Sequence, residues 1–273
     1  MSTPGSATAS GGTAAEVQST QNKQYDKIGS KYGDIKEKPA TQPERPSVVA
    51  VLGDITGKRC LDLACGLGHY TALLASLGAS SVHGYDISPK MVEAARSTYP
   101  PSQYPNLHFD VADCSDSDNL PSSEPFDIVF AGWFLNYAGT EKELTNMFRV
   151  IVGRLREGGR FVGVTTDAHD LSMKEPKRNF YGVDVEVLEK EYVAPDTGRE
   201  VGIKARVTVQ TEPPFCFEVF QFRSEVYERC AKEAGMQIAW KKQVLPDDER
   251  KESGYWDEWV QRPTFSVIEA TVE

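Results

Sequence analysis

Leu61-Asp-Leu-Ala-Cys-Gly-Leu-Gly-His-Tyr-Thr71 is the stretch that decides the fold. The apolar run Arg59 to Ala64 reads as a buried strand, two glycines follow, and Tyr70 to Leu77 reads as a helix closed by Gly78. Strand, glycine turn and helix in that order bring backbone N–H groups and a helix N-terminus close to a ligand's carboxylate or phosphate. A dinucleotide fingerprint would place a third glycine three residues on, as G-x-G-x-x-G. Here Gly66 and Gly68 are followed by Thr71 in that place, which argues against a nicotinamide cofactor.

Outward from this turn, short apolar runs alternate with helices. Ser81 to Tyr85 is a second strand, and Ser88 caps a helix that has Pro89 in its first turn. Leu107 to Val111 and Phe126 to Ala131 are the third and fourth strands. Glu141 to Leu155 is a helix with Leu144, Phe148, Ile151 and Leu155 on one face, ended by Gly158-Gly159 and followed by a fifth strand, Phe161 to Thr165. The alternation predicts a parallel, doubly wound sheet.

Beyond it, Val183 to Leu188, Val201 to Val209 and Phe215 to Phe222 read as three antiparallel strands, with turns such as Pro195-Asp-Thr-Gly198. A helix, Ser224 to Ala234, and a hairpin of Gln237 to Val244 with Phe265 to Val272 complete the chain. Upstream, Gln18 to Lys36 has helical spacing, with Tyr25, Ile28 and Tyr32 on one face. Three prolines between Lys38 and Pro46 then break it before a second helix, Ser47 to Leu52.

The fold class expected is α/β: a Rossmann-like, doubly wound, mostly parallel seven-stranded sheet with an antiparallel β-rich insertion after strand 5. The segments expected are a disordered N-terminus (1–17), a helical lid (18–56) and a cofactor-binding core (57–166). A substrate insertion (167–222) and a closing helix with hairpin (223–273) follow.

Asp86 ends the second strand twenty residues past Gly66, where a carboxylate can accept from both hydroxyls of a ribose. Ile87 and Met91 lie just beyond it and can pack on an adenine face, while Asp113, beside Cys114, can accept from the adenine amino group. Singly, each acid also reads as a loop residue or helix cap. Jointly, in order at successive strand ends, they point to a nucleoside ligand.

Asp62-Leu-Ala-Cys-Gly-Leu-Gly68, the acid in Tyr85-Asp-Ile-Ser-Pro89, Asp113, Phe126-Asp-Ile-Val-Phe130 and Leu155-Arg-Glu-Gly-Gly-Arg160 together resemble the successive motifs of class I methyltransferases, over roughly residues 57–166. The resemblance implies S-adenosyl-L-methionine as cofactor and binding positions at Asp62, Ala64, Gly66, Gly68 and Ala131 besides Asp86, Ile87, Met91, Asp113 and Cys114; no His/Cys cluster has zinc-site spacing, so no metal is expected. Tyr25-Asp-Lys-Ile-Gly-Ser-Lys-Tyr32 resembles a lid segment of small-molecule members, in which tyrosines close over the cofactor. Arg45, in a segment resembling the same group, is expected at the methionine carboxylate. The cofactor's cationic sulfonium suits aromatic faces, for which Tyr25, Tyr32 and Trp133 are candidates.

The acceptor should sit at the ends of the fourth and fifth strands. Gly132-Trp-Phe-Leu-Asn-Tyr137 offers Trp133, Phe134 and Asn136 as acceptor contacts and Tyr137 as a catalytic tip. His169 and Asp170 form a candidate base with its orienting partner, and Trp256, in Tyr255-Trp-Asp-Glu-Trp259, a candidate flap. Oxygen and ammonium acceptors need a base; a thiol needs less help, because thiolate forms near neutral pH.

The 273 residues carry a formal net charge of −10, which disfavours a phosphate backbone as partner. No N-P-P-Y or D-P-P-Y tetrapeptide, Pro-Cys nucleophile or paired-glutamate loop is present. Cys60, Cys65, Cys114, Cys216 and Cys230 show no C-x-x-C spacing, and no signal peptide or membrane-spanning run is seen. Free thiols and a cytoplasmic protein are therefore expected. The chain is most similar to microbial toxin and secondary-metabolite methyltransferases, including enzymes that cap reactive thiols, so a small-molecule acceptor methylated on O, N or S is expected. The alternatives are an RNA or protein methyltransferase, a non-catalytic cofactor-binding module, or a dehydrogenase, which Thr71 disfavours.

Overall fold

The computed structural model describes residues 28–273. Tyr25, the expected disordered N-terminus and the first part of the expected lid lie outside the described residues.

From Gly29 to Glu37 the chain is a 3-10 helix, not the α-helix that the spacing of Ile28 and Tyr32 predicts. Gly29 and Gly33 weaken an α-helix there, and Gly29 itself has φ +58°. The next helix, α1 (Glu44–Leu52), begins three residues earlier than expected, with Pro43 at its N-cap and Pro46 in its first turn, which tolerates proline.

The main sheet has seven strands in the order β10-β11-β5-β4-β1-β2-β3. These are β1 (Arg59–Leu63), β2 (Ser81–Asp86), β3 (Leu107–Val111), β4 (Phe126–Gly132), β5 (Leu155–Thr166), β10 (Met236–Lys241) and β11 (Phe265–Val272). β1 to β5 are parallel, and β11 runs antiparallel between β5 and β10. The crossovers are α2 (His69–Ser76), α3 (Pro89–Thr98) and α4 (Glu141–Arg154), and α5 (Ser224–Glu233) leads into β10. Ser88 Oγ accepts from the Met91 N–H, as its capping position requires.

Both faces of the sheet are covered, which is why the central strands are apolar without alternation. Leu61, Phe126, Phe148 and Phe161 pack on the α4–α5 side, and Cys60, Phe130, Val162 and Trp259 on the other. The chain diverges from β1 toward β2 on one side and β4 on the other, and the C-terminal ends of these strands are where such sheets bind ligands.

A second sheet is inserted after β5, antiparallel in the order β6-β7-β8-β9. It holds the three expected strands, β7 (Val183–Val193), β8 (Glu200–Val209) and β9 (Phe215–Phe222), and one that was not expected, β6 (Lys177–Phe180). Four residues reading Lys-Arg-Asn-Phe carry no alternation, and only pairing with β7 makes them a strand. β5 also starts earlier than expected, at Leu155, and runs through Gly158-Gly159, with Gly158 at φ +70°. A short helix, α6 (Asp257–Gln261), follows Trp256. Among the described residues no helix is long and apolar enough to cross a membrane.

Candidate functional site

The glycine turn opens a cleft of about 960 Å³, its mouth included, at the C-terminal ends of β1, β2 and β4. Gly68 caps α2 at φ +80°, and a Cβ there would lie 2.9 Å from the Phe109 ring and 3.2 Å from that of Tyr99. Glycine is needed for both the conformation and the room. Gly66 lines the cleft, whereas Gly68 shapes it from behind.

Asp86 holds the turn shut from the next strand. One carboxylate oxygen accepts from the Gly66 N–H at 2.8 Å and the other from the Ser88 N–H at 2.8 Å. Thr71, standing where a dinucleotide turn would have glycine, donates its hydroxyl to Asp62 at 2.7 Å and so ties α2 to β1. Asp113 is held in an Asx turn by the Ser115 N–H and hydroxyl, at 2.9 and 2.7 Å. Asp62, Ala64, Asp86, Asp113, Cys114, Met91 and Ile87 all line the cleft, and Ile87 is one of the few large apolar side chains left exposed. Ala131 does not: it is buried behind the wall, and the next residue, Gly132, faces the cleft. Alternation along β4 accounts for this one-residue correction.

Burial pushes the Asp62 carboxyl up to about 7, partly opposed by the Thr71 hydrogen bond and reinforced by Asp86. The unfolded carboxyl titrates near 3.8, so the folded state binds more protons between these values. The stability Asp62 contributes is therefore complete below about 3.8 and lost as pH climbs to about 7. Asp62→Asn, which keeps an acceptor for Thr71, should flatten the dependence of Tm on pH between 4 and 7. An unaltered profile in thermal melts would place the titration elsewhere.

At the opposite end Tyr32, Lys36 and Tyr70 line the cleft. The Glu44 carboxylate, almost wholly buried on α1, takes Lys36 Nζ at 2.5 Å and the Tyr70 hydroxyl on the same oxygen. Its other oxygen is buried with no hydrogen-bond partner among the described residues. Lys36 also sits 4.8 Å over the Tyr70 ring. Arg45 is a correction to the sequence reading: it is exposed and outside the cleft, because it follows Glu44 on the helix and so faces about 100° away. Lys36 is the cation that lines this end.

Trp133 has φ +64°, a conformation costly for a bulky residue, and its N–H donates to the Val164 carbonyl at 2.8 Å. Trp133 and Tyr32 line both the cleft and a second cavity of about 680 Å³, its mouth included. Val183, Val185, Ala205, Val207, Phe217 and Val219 of the inserted sheet form one side of its wall, and Thr41, Thr166, Lys177, Gln221 and Thr264 are polar members. The Tyr32 ring packs edge-on against Phe217, 5.8 Å between centroids. Burial first, then the Glu44 and Asp86 carboxylates, hold the Tyr32 phenol well above the ordinary tyrosine range.

Phe134 and Tyr137 line the cleft, and burial raises the Tyr137 phenol. Asn136 does not line it; its amide is buried with neither polar atom partnered among the described residues. His169 and Asp170 are not brought together as a base and its partner. They border a separate hollow, where His169 meets the Trp240 ring edge-on at 4.8 Å. The Asp170 carboxylate is taken by Lys177 at 3.3 Å and Arg262 at 3.2 Å, since a buried carboxylate is met best by paired cations. Trp256 is no flap: it is buried, stacked on Tyr181 at 5.5 Å and edge-on to Trp259. The sequence reading missed Lys36, Glu44, Lys177 and Gln221, none of which stands in a motif, and Tyr70, which stands in the glycine-turn stretch but carries no sign of its place in the cleft.

A family model described as a methyltransferase domain matches residues 60–159. Phosphoethanolamine N-methyltransferase 1 of Triticum aestivum is 31% identical over 126 residues, covering 46% of this chain and 25% of that protein. The mRNA cap guanine-N(7) methyltransferase of Caenorhabditis elegans is 29% identical over 124 residues, covering 42% and 33%. The chain thus spans about a quarter to a third of the length of these curated relatives. Among solved structures, an S-adenosylmethionine-dependent methyltransferase from Mesorhizobium loti superposes with a TM-score of 0.59 at 21% identity, over 84% of this chain and 97% of that one.

Proposed function

We propose that this chain, which belongs to the class I S-adenosylmethionine-dependent methyltransferases, moves the cofactor's methyl group to a compact organic acceptor seated in the cavity behind Tyr32 and Trp133. The observation that carries this reading is the shared wall: the same two aromatic rings face the cofactor cleft and a mostly apolar cavity.

The residues present fit the cofactor. Asp86 and Asp113 stand at successive strand ends for the ribose and the adenine, and the exposed side chain of Ile87 offers an apolar face. Lys36, braced by buried Glu44, is the cation for the methionine carboxylate, and the ionised form of Asp62 is a partner for its ammonium. Bound there, S-adenosylmethionine supplies an electrophilic methyl on a cationic sulfonium. Tyr32 and Trp133 present aromatic faces to that end, which favours a cation. The apolar walls beyond them exclude water and hold the nucleophile in line, so that positioning does most of the work.

A finer reading concerns the acceptor atom. The described lining of the second cavity holds no histidine or carboxylate; its titratable side chains are Tyr32 and Lys177. An acceptor that ionises unaided near neutrality suits such a wall, and a thiol does so where a simple alcohol or an alkylammonium does not. The apolar lining and the acidic balance of the chain favour a small molecule over RNA.

The test is methyl incorporation from isotope-labelled S-adenosylmethionine into thiols, phenols, amines and carboxylates, read by mass spectrometry. Labelled thioether is the expected product. Turnover of phenols or amines with none on sulfur would remove the thiol reading, and failure to bind the cofactor in calorimetry would remove the whole assignment.

A further inference from the structure

We propose that Lys177 anchors an oxygen of the acceptor, a carbonyl or carboxylate set apart from the nucleophile, inside the second cavity; this rests on the methyltransferase reading above. Lys177 is only 7% exposed, yet it lines a wall made otherwise mainly of valine, alanine and phenylalanine. Its ammonium donates to the Pro263 carbonyl at 2.9 Å and meets Asp170 at 3.3 Å, which occupies two of its three N–H groups, and it stands 5.6 Å from the centre of the Phe180 ring, which accepts no conventional hydrogen bond.

Asp170 is shared. Arg262 reaches the same carboxylate oxygen at 3.2 Å, so Lys177 does not hold Asp170 alone. The neighbouring acid, Asp167, is engaged by the Ser266 hydroxyl at 3.0 Å and the His169 N–H at 3.1 Å, and burial pushes its carboxyl up. Gln221, beside Lys177 in the lining, spends its amide N–H on the Asp167 carbonyl at 2.7 Å.

A buried cation against hydrocarbon walls is costly unless its donors are met. A ligand oxygen accepting the third N–H meets the last one, in a charge-assisted bond. The acceptor class that follows is a compact, mostly apolar molecule with one carbonyl or carboxylate. A cationic acceptor would face repulsion from Lys177, and a polyanion would find no solvent beside the apolar wall.

The test uses the full chain with three probes of one shape: 2-naphthoate, 2-acetylnaphthalene and 2-methylnaphthalene. Binding is followed by probe fluorescence, with S-adenosylhomocysteine affinity measured separately by calorimetry. The wild-type chain should bind at least one of the two oxygen-bearing probes about tenfold tighter than 2-methylnaphthalene; naphthoate alone points to a carboxylate, both to a carbonyl. Lys177→Met should bring the three within about twofold while leaving S-adenosylhomocysteine affinity in place. Ala205→Trp, which fills the cavity, should abolish binding of all three. If Lys177→Met fails to fold, Lys177→Met/Asp170→Asn removes the paired charges together and should behave in the same way.

Equal binding of the three probes by the wild type, binding of none, a preference that survives loss of Lys177, or naphthoate binding untouched by Ala205→Trp would each overturn the proposal. Loss of S-adenosylhomocysteine binding by the wild type would instead strike the methyltransferase reading, which the naphthyl probes do not measure.

Discussion

Asp86→Ala should weaken S-adenosylmethionine binding by at least about a hundredfold, the largest functional effect of any single change in the cleft. The carboxylate has two tasks. It satisfies the buried N–H groups of Gly66 and Ser88, which fixes the glycine turn against the end of β2, and it lines the cleft where a ribose is expected. Alanine strands both donors, at about 1–3 kcal/mol each, and removes the carboxylate expected at the ribose hydroxyls. A hundredfold change corresponds to about 2.8 kcal/mol, within that range. Calorimetric titration decides it: affinity within threefold of the wild type would take Asp86 out of the cofactor site. The melting temperature should fall as well, since the two donors are also part of the fold.

Gly202→Ala should have the largest effect on stability. Gly202 lies in β8 opposite Phe222, with φ +153°, and a Cβ there would lie 2.1 Å from the Gln221 carbonyl oxygen and 2.9 Å from Phe222 Cα. Both obstacles are backbone, so no rotamer change relieves them and β9 must separate from β8. A loss of about 3 kcal/mol or more is expected, placing the change among the exceptional ones. Thermal melts should show a fall of roughly 6–12 °C, at about 2–4 °C per kcal/mol in domains of this size. Gly198→Ala, at φ +68° but with nothing within 4 Å, isolates the conformational cost and should be much milder. A Gly202→Ala protein melting within about 2 °C of the wild type would mean that β9 retreats freely. Because Gln221 and Val219 of β9 line the second cavity, the same substitution should also blunt naphthoate binding.

The two substitutions fall on opposite sides of what could be read in advance. Asp86 announces itself: a carboxylate at a strand end, twenty residues past a glycine turn, has a chemical meaning wherever it stands. Gly202 has none in sequence, because its need for glycine comes from the backbone of a strand that follows a separate turn. The same division runs through the site. Asp62, Gly66, Ile87, Met91 and Asp113 sit on local strand–turn–helix units and line the cleft where the motifs place them. Ala131 misses by one residue, to Gly132, and Arg45 gives way to Lys36, since composition does not report which face a side chain takes. His169 and Asp170, neighbours in the chain, are separated in role by Lys177 and Arg262, which arrive from β6 and from beyond α6.

By itself, the sequence determined the alternation of strand and helix, the glycine turn and the acids at the strand ends, because each rests on contacts within about thirty residues and on apolar periodicity. The tertiary structure alone decided the wall between the two cavities and the charges behind it. Tyr32 meets Phe217, and Lys177 meets the Pro263 carbonyl, only after the sheets have packed. Burial then gives these groups their character, since a carboxylate or an ammonium removed from water must find its partner among whatever the fold brings near.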